Sequence, residues 1–284
     1  MQDDSARSIL LISCHDQPGI MSEVSGFVTK RQGNIVSLQQ LVEKEDRHLF
    51  MRVKWTSSNV DACDFNIEKD FKPIAEKFQM QYRVSCSTTR KSMVLFASST
   101  THCLEKVLYN HSEGNLPVDI PIIISNSENS RKVAERYGIP FHFISTKEPG
   151  YEQKQLELLA QHKVDFIGLA RYMKVLSPEF VAHYPNRIIN IHHSFLPSFI
   201  GARPYQEAYQ RGVKLMGATS HFVIPELDQG PIIEQDVARV REGFDAENLE
   251  KQGRDVESKV FYFAIQKYIE EKLISYKNRV IVFN

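Results

Sequence analysis

No excess of either charge marks this chain: 35 lysines and arginines stand against 35 aspartates and glutamates. A nucleic-acid binder normally carries a basic surplus, so the balance argues against that class of partner. Cysteine is sparse as well. Cys14, Cys63, Cys86 and Cys103 show no CxxC spacing and are too few for a disulfide framework, which leaves reduced thiols as the simpler expectation. No apolar run reaches the ~18 residues that would suggest a membrane span. The start, MQDDSARS, is polar and acidic, unlike a secretion signal. Internal repeats and low-complexity segments are absent too. The expectation is a cytoplasmic protein that engages neither membrane nor nucleic acid. What is present is ordinary globular composition, 42% hydrophobic and 25% charged, over 284 residues, enough for two domains.

Residues 8–86 read as one domain. Ser8–Cys14 is an apolar strand, and Pro18-Gly19 punctuates the turn after it. Ile20, Val24, Phe27 and Val28 then recur at helical spacing, and Gly33 is expected to close that helix. Two strand-like runs follow, NIVSLQQLVE and RHLFMRVKW, parted by the charged turn Lys44–Asp46. A second helix over 65–78 and a last strand, QYRVSCS, complete a ferredoxin-like βαββαβ order. Asp16, Pro18, Gly19 and Ile20 after the first strand, with Gly33-Asn34-Ile35 after the first helix, resemble an ACT domain. That resemblance implies a small-molecule regulatory module, often an amino-acid sensor, that pairs with a copy of itself. It makes Asp16, Gly19, Ile20 and Asn34 the effector-binding positions and the chain a homo-oligomer built through this domain.

A short polar linker, residues 87–92, leads to a second domain over 93–284. There apolar runs such as SMVLFAS, VDIPIIISN, VDFIGLA and RIINIH alternate with helical stretches. Such alternation predicts an α/β fold, a doubly wound and largely parallel sheet with helices on both faces. The runs lack polar alternation, as burial on both faces demands. Ligands in these sheets gather at the carboxyl ends of strands. Asn190 and His192 lie at one of those ends.

They belong to NIHHSFLP, residues 190–197. In an extended segment, residues two apart share a face and neighbours point apart. Asn190 and His192 are therefore expected together, with His193 turned away. That weakens a metal site built on both histidines, and no HExxH helix or Cys/His cluster replaces it. No metal is expected. Downstream, GATSHFVIPELDQGPII carries His221 on a strand and Glu226, Asp228 and Gly230 in the turn-rich stretch beyond. An amide N–H and an imidazolium both donate to a developing oxyanion, and a carboxylate raises a histidine's pKa or takes a proton from water. These residue types suit acyl chemistry. A hydrogen-bonded loop with a solvated aspartate fits the same composition, and composition alone favours it.

NIHHSFLPSFIGARPY followed by GATSHFVIPELDQGPII resembles the catalytic domain of the folate-dependent formyltransferase and formyl-hydrolase family, over roughly residues 91–284. GLARYMKVLSP, residues 168–178, is similar to that family's folate-binding segment. The resemblance implies a catalytic trio of Asn190, His192 and Asp228, supported by His221. It implies a folate pocket formed by Met173, Lys174, Val175 and Leu176, under a loop that includes Ile224 and Glu226. Arg203, in GARPY, is a weaker candidate: it holds an outgoing formate, plugs an acceptor channel, or is simply a structural loop arginine.

Two departures select a branch. Ribonucleotide formyltransferases usually carry a glycine-rich turn after their first strand, whose backbone N–H groups cradle the acceptor's phosphate. The matching stretch, LFASSTTHCLEKVL, has no glycine, and Thr101 and His102 crowd the turn. His193 stands where the transferases usually have proline. With the ACT-like domain, this is similar to the family's deformylase branch. The branch implies hydrolysis of 10-formyltetrahydrofolate to formate and tetrahydrofolate without a bound cofactor, in one-carbon and purine metabolism, with glycine or methionine as effector. The enzymatic alternative moves the formyl group to a small amine acceptor. The non-enzymatic alternative is a folate-binding regulator with a dead site.

Overall fold

The computed structural model describes residues 7–57, 66–197 and 204–284. It divides into two compact units, one of residues up to 90 with 270–274 and 281–284, the other of residues 91–269 with 275–280.

The first unit runs β1 (Arg7–His15), α1 (Ile20–Lys30), β2 (Gly33–Glu43), β3 (His48–Ser57), α2 (Asn66–Lys77) and β4 (Gln81–Cys86), the βαββαβ order read from the sequence. Its antiparallel sheet has the order β2-β3-β1-β4. Each helix buries one stripe, Ile20, Val24, Phe27 and Val28 from α1 and Ile67, Phe71 and Ala75 from α2. These pack on Leu10, Ile12, Met51, Val53 and Trp55 of the central strands. Gly33 does not close α1. Gln32 takes the left-handed turn, at φ 55°, and Gly33 opens β2. A Cβ on Gly33 would lie 2.7 Å from both the Trp55 ring and a Val28 methyl, so close packing is what requires glycine.

Two further expectations are corrected here. The sequence assigned everything after residue 92 to the second domain, yet residues 270–274 and 281–284 pack in the first unit. The physical reason is a buried arginine. Arg52 is only 5% exposed in the middle of β3 and needs acceptors. Its Nε donates to the Glu271 carbonyl at 2.8 Å and its Nη2 to the Glu270 carbonyl at 3.0 Å. Arg83 adds a 2.6 Å ion pair to the buried Glu271 carboxylate. The second correction concerns thiols. Cys14 and Cys103 are free and buried, whereas Cys86 is disulfide-bonded. Spacing along a chain does not report spatial approach, which is what a disulfide requires.

The second unit begins at residue 91, two residues inside the expected linker: β5 (Lys91–Ala97), α3 (His102–Ser112), β6 (Val118–Asp119), β7 (Ile123–Ser125), α4 (Arg131–Arg136), β8 (Phe141–Phe143), α5 (Tyr151–Gln161), β9 (Phe166–Ala170), α6 (Pro178–His183), β10 (Ile188–His192), α7 (Pro204–Gln210), β11 (Leu215–Phe222), β12 (Ile232–Arg239) and α8 (Ala246–Ile269). The chain ends in a hairpin of β13 (Leu273–Tyr276) and β14 (Arg279–Val282). The main sheet has the order β12-β11-β10-β9-β5-β7-β8, with β6 also on β5. Neighbours from β10 to β8 run parallel, and β11 and β12 run antiparallel. Ile167, Leu169 and Ile188 face one core with Leu159 of α5 and Phe180 of α6. The alternate residues face α8: the Phe166 ring lies 4.5 Å from that of Tyr268, and a Cβ on Gly168 would come within 3.1 Å of Phe261. The carboxyl ends of β9 and β10 are where such a sheet receives a ligand.

Replacing Arg52 by methionine tests the tail packing. It strands two carbonyl oxygens, and the expected loss of stability is about 1–3 kcal/mol. Urea unfolding measures it; an unchanged midpoint would show that the tail does not depend on this arginine.

Candidate active site

Parallel pairing sets Asn190 level with Leu169, and antiparallel pairing sets it level with His221. Asn190 and His192 follow Ile188 at two-residue steps and so share its face. On β11 the pairing with β12 shifts between Ser220 and His221, an irregularity that re-aims a side chain. His221 Nδ1 sits 2.9 Å from the Phe222 carbonyl oxygen. A carbonyl only accepts, so this nitrogen carries the proton. In the neutral ring Nε2 then accepts from the Asn190 amide, 3.2 Å away, which orients that amide and leaves its second N–H for a ligand.

Asp228 enters from the loop between β11 and β12. It adopts φ 55°, and two residues later the chain passes so close to β11 that a Cβ on Gly230 would lie 1.7 Å from the Phe222 carbonyl oxygen. Phe222 N–H donates to the Pro231 carbonyl at 3.0 Å, which closes the loop onto the strand. The Asp228 carboxylate thereby lies 3.2 Å from His192 Nδ1 and 3.6 Å from His221 Nε2. Hydrogen bonding from His192 holds its carboxyl far below the usual carboxylate range. The opposite nitrogen of His192, Nε2, is buried with no hydrogen-bond partner among the described residues.

These four residues line one cavity of about 330 Å³, together with Met173, Lys174, Val175, Leu176, Ile224 and Glu226. The segment 171–176 keeps its irregular backbone because its centre is pinned. The Tyr172 ring packs edge-on to Phe96 at 5.2 Å, and its hydroxyl accepts from Gln155 Nε2 at 2.7 Å. Burial pushes that phenol up to about 12. Arg171 and Met173 on either side take left-handed φ of 58° and 57°. Ser177 then caps α6, accepting from Phe180 N–H at 3.1 Å. Met173, Val175 and Leu227 hold exposed apolar side chains at this cavity. Such a patch suits a flat, largely apolar ligand.

His193 departs from expectation. It lines the same cavity, with its ring 5.0 Å from that of His192. The strand ends at His192, so two-residue alternation does not extend to the next position. Arg203 lies outside the described residues. Among the effector positions, Asp16 N–H donates to the Arg47 carbonyl at 2.7 Å, Gly19 turns at φ 95° ahead of α1, and Asn34 is exposed on β2. Ile20 is 2% exposed and belongs to the core, so only its backbone is left to meet an effector.

Sequence reasoning missed a cluster beside the cavity. Glu257, 1% exposed on α8, engages His102 Nε2 at 2.7 Å, Arg171 Nε at 3.4 Å and the Tyr205 hydroxyl. The Tyr205 ring fits because a Cβ on Gly253 would meet it at 2.3 Å. A lone acid on the apolar stripe Val256, Val260, Phe261 was the available signal. His102, Cys103 and Glu257 also form the one trio of metal-type donors among the described residues. Burial and the neighbouring Glu257 push the Cys103 thiol well up, and a protonated thiol is a poor ligand. The cluster reads as an ionic network.

Known proteins share this architecture. The formyl transferase family profile matches residues 91–265, and the ACT domain profile matches residues 8–54. A formyltetrahydrofolate deformylase of Bacillus subtilis is 45% identical, over 97% of this chain and 93% of its own. The crystal structure of a formyltetrahydrofolate deformylase from Pseudomonas syringae superposes with TM-score 0.95 at 37% identity, covering 100% of this chain and 96% of that one. A glycinamide ribonucleotide transformylase from Symbiobacterium toebii matches 69% of this chain and 95% of its own, with TM-score 0.65 and 29% identity.

Gly230→Ala tests the loop closure. The methyl group has no room, so the loop must shift and carry Asp228 from His192. We expect turnover to fall at least ~100-fold, the scale of a misplaced reacting group, with a loss of stability of about 1–3 kcal/mol from the forced shift. Wild-type turnover would show that Asp228 does not depend on this approach.

Proposed function

The chain belongs to the formyl transferase family, and we infer from its near full-length match to the deformylases that it hydrolyses 10-formyltetrahydrofolate to formate and tetrahydrofolate. The likeness to the transformylase stops at 69% of the chain. Where a phosphate-cradling turn would need glycine, His102 is instead spent on Glu257. Water is the nucleophile left. The reaction supplies formate and balances the one-carbon folate pool on which purine synthesis draws, and we place it in the cytoplasm. No helix among the described residues is long and apolar enough to cross a membrane.

The observation that carries the mechanism is the state of His192, tied through Nδ1 to Asp228 and unspent at Nε2. A carboxylate held so far below its usual range is a poor base toward water. Asp228 therefore keeps the His192 proton on Nδ1 and supports the charge that develops on the ring, and Nε2 takes the proton from water. The water oxygen adds to the formyl carbon. The resulting oxyanion accepts from the free N–H of Asn190. Imidazolium at His192 returns the proton to N10 as the carbon–nitrogen bond breaks. Formic acid leaves and ionises to formate. Met173, Lys174, Val175, Leu176, Ile224 and Glu226 hold the folate. Every step is carried by side chains, without a metal or redox cofactor.

Asn190→Ala, His192→Ala and Asp228→Asn are each expected to lower turnover at least ~100-fold without unfolding the protein. Purified wild type given 10-formyltetrahydrofolate and no amine should release formate. A strict need for an added amine would establish formyl transfer instead.

The N-terminal unit is proposed as an effector site for an amino acid, glycine or methionine, reached through Asp16, Gly19, the Ile20 backbone and Asn34. Pairing of two chains is proposed through the same unit. In support, β2 lies at the sheet edge and exposes Val36 and Leu41. Control requires different affinities for two arrangements, and a typical coupling changes binding about 5- to 150-fold. Asp16→Ala should blunt the amino-acid response while basal turnover stays. If no amino acid alters rate or melting temperature in the wild type, the effector role is wrong.

A further inference from the structure

Arg171 stands directly beyond β9. Leu169 pairs with Asn190 in parallel register, so Arg171 lies two residues past one partner as His192 lies two past the other. Arg171 lines the cavity with Asn190 and His192, and its side chain is 13% exposed. A buried guanidinium needs a counter-charge and acceptors for its N–H groups. Glu257 supplies the charge, 3.4 Å from Nε. It does not supply the acceptors. Its Oε2 is engaged by His102 at 2.7 Å and its Oε1 by the Tyr205 hydroxyl. Arg171 Nε and Nη1 are buried without a hydrogen-bond partner among the described residues. The resting protein thus keeps buried, charged donors unspent on a residue that lines the cavity of Asn190 and His192.

Hydrolysis, on the reading above, creates an acceptor of matching shape. A neutral formamide and water become a secondary amine, formate and one proton. The formyl group carries no charge before the reaction and becomes a planar carboxylate after it. The ionised Asp228 in the same cavity repels that product. The end-on edge of a guanidinium, Nη1 with Nη2, matches a carboxylate in both geometry and charge. We propose that Arg171 is the formate-binding residue of this enzyme, held in position by Glu257. The guanidinium stabilises the late, product-like part of the reaction and makes free formate an occupant of the cavity.

Formate binding to the folate-free full chain tests this directly, by line broadening of carbon-13 formate, for wild type, Arg171→Lys and Arg171→Met. Methionine should weaken formate binding at least ~10-fold, the scale of a lost charge-assisted pair, and lysine, which keeps the charge and loses the fork, should fall between. The KM for 10-formyltetrahydrofolate should stay within about threefold, since the contact forms only with product. If Arg171→Met leaves Glu257 uncompensated and does not fold, the double variant Arg171→Met/Glu257→Gln removes both charges and gives the same reading. Unchanged formate binding in a folded variant, or no binding to wild type, overturns the proposal. So does a tenfold rise in KM with formate binding intact, which would assign Arg171 to the substrate's own carboxylate. Arginine-dependent formate binding by a wild type that releases no formate from 10-formyltetrahydrofolate would uphold this site and refute the hydrolysis reading.

Discussion

The pairing of Asp228 with His192 is the contact on which the site depends. It joins a residue at a strand end to one on a loop 36 positions later, and neither element alone defines the other. Three features make the approach unavoidable. β11 lies antiparallel beside β10, the irregular pairing at His221 turns that ring toward the loop, and the glycine at 230 lets the chain lie against the Phe222 carbonyl. The same carbonyl receives His221 Nδ1. One backbone oxygen thus sets the tautomer of a supporting histidine and the path of the loop that brings the carboxylate.

Around this pair the sheet separates two jobs. Ile167, Leu169 and Ile188 fill the core under α5 and α6, while Phe166 and Gly168 seat α8 on the other face. Helix α8 also carries Glu257 to the edge of the cavity, where it anchors Arg171, His102 and Tyr205. A buried carboxylate with three partners resists displacement, because removing any one leaves charge or donors uncompensated. One side of the cavity is therefore backed by an ionic network, and the other is lined by exposed apolar side chains on a pinned backbone.

The secondary structure of the first unit and the same-face relation of Asn190 and His192 were legible because both are periodic. Ile20, Val24, Phe27 and Val28 announce a helix, and a two-residue step announces a shared face. The motif resemblance brought in Asp228, which no local pattern ties to β10. His193 misled because the strand stopped one residue earlier than alternation required. Gly33 misled because a glycine near a helix end suggests a left-handed turn, when the Trp55 ring was the cause. Arg171 and Glu257 were invisible as a pair, since 86 residues separate them and only tertiary packing makes them neighbours.

Arg52 waits for its acceptors. Glu271 follows it by 219 residues. At ordinary ribosomal speed that interval lasts roughly 10–40 s. The nascent N-terminal unit spends it with a guanidinium whose final partners do not yet exist, while residues 91–269 of the second unit are synthesised. Folding of this chain is thus nested: the unit begun first waits for a segment made after most of the other unit. Emergence of residues 270–274 and 281–284, rather than of its own four strands, marks the moment at which the N-terminal unit takes its finished form.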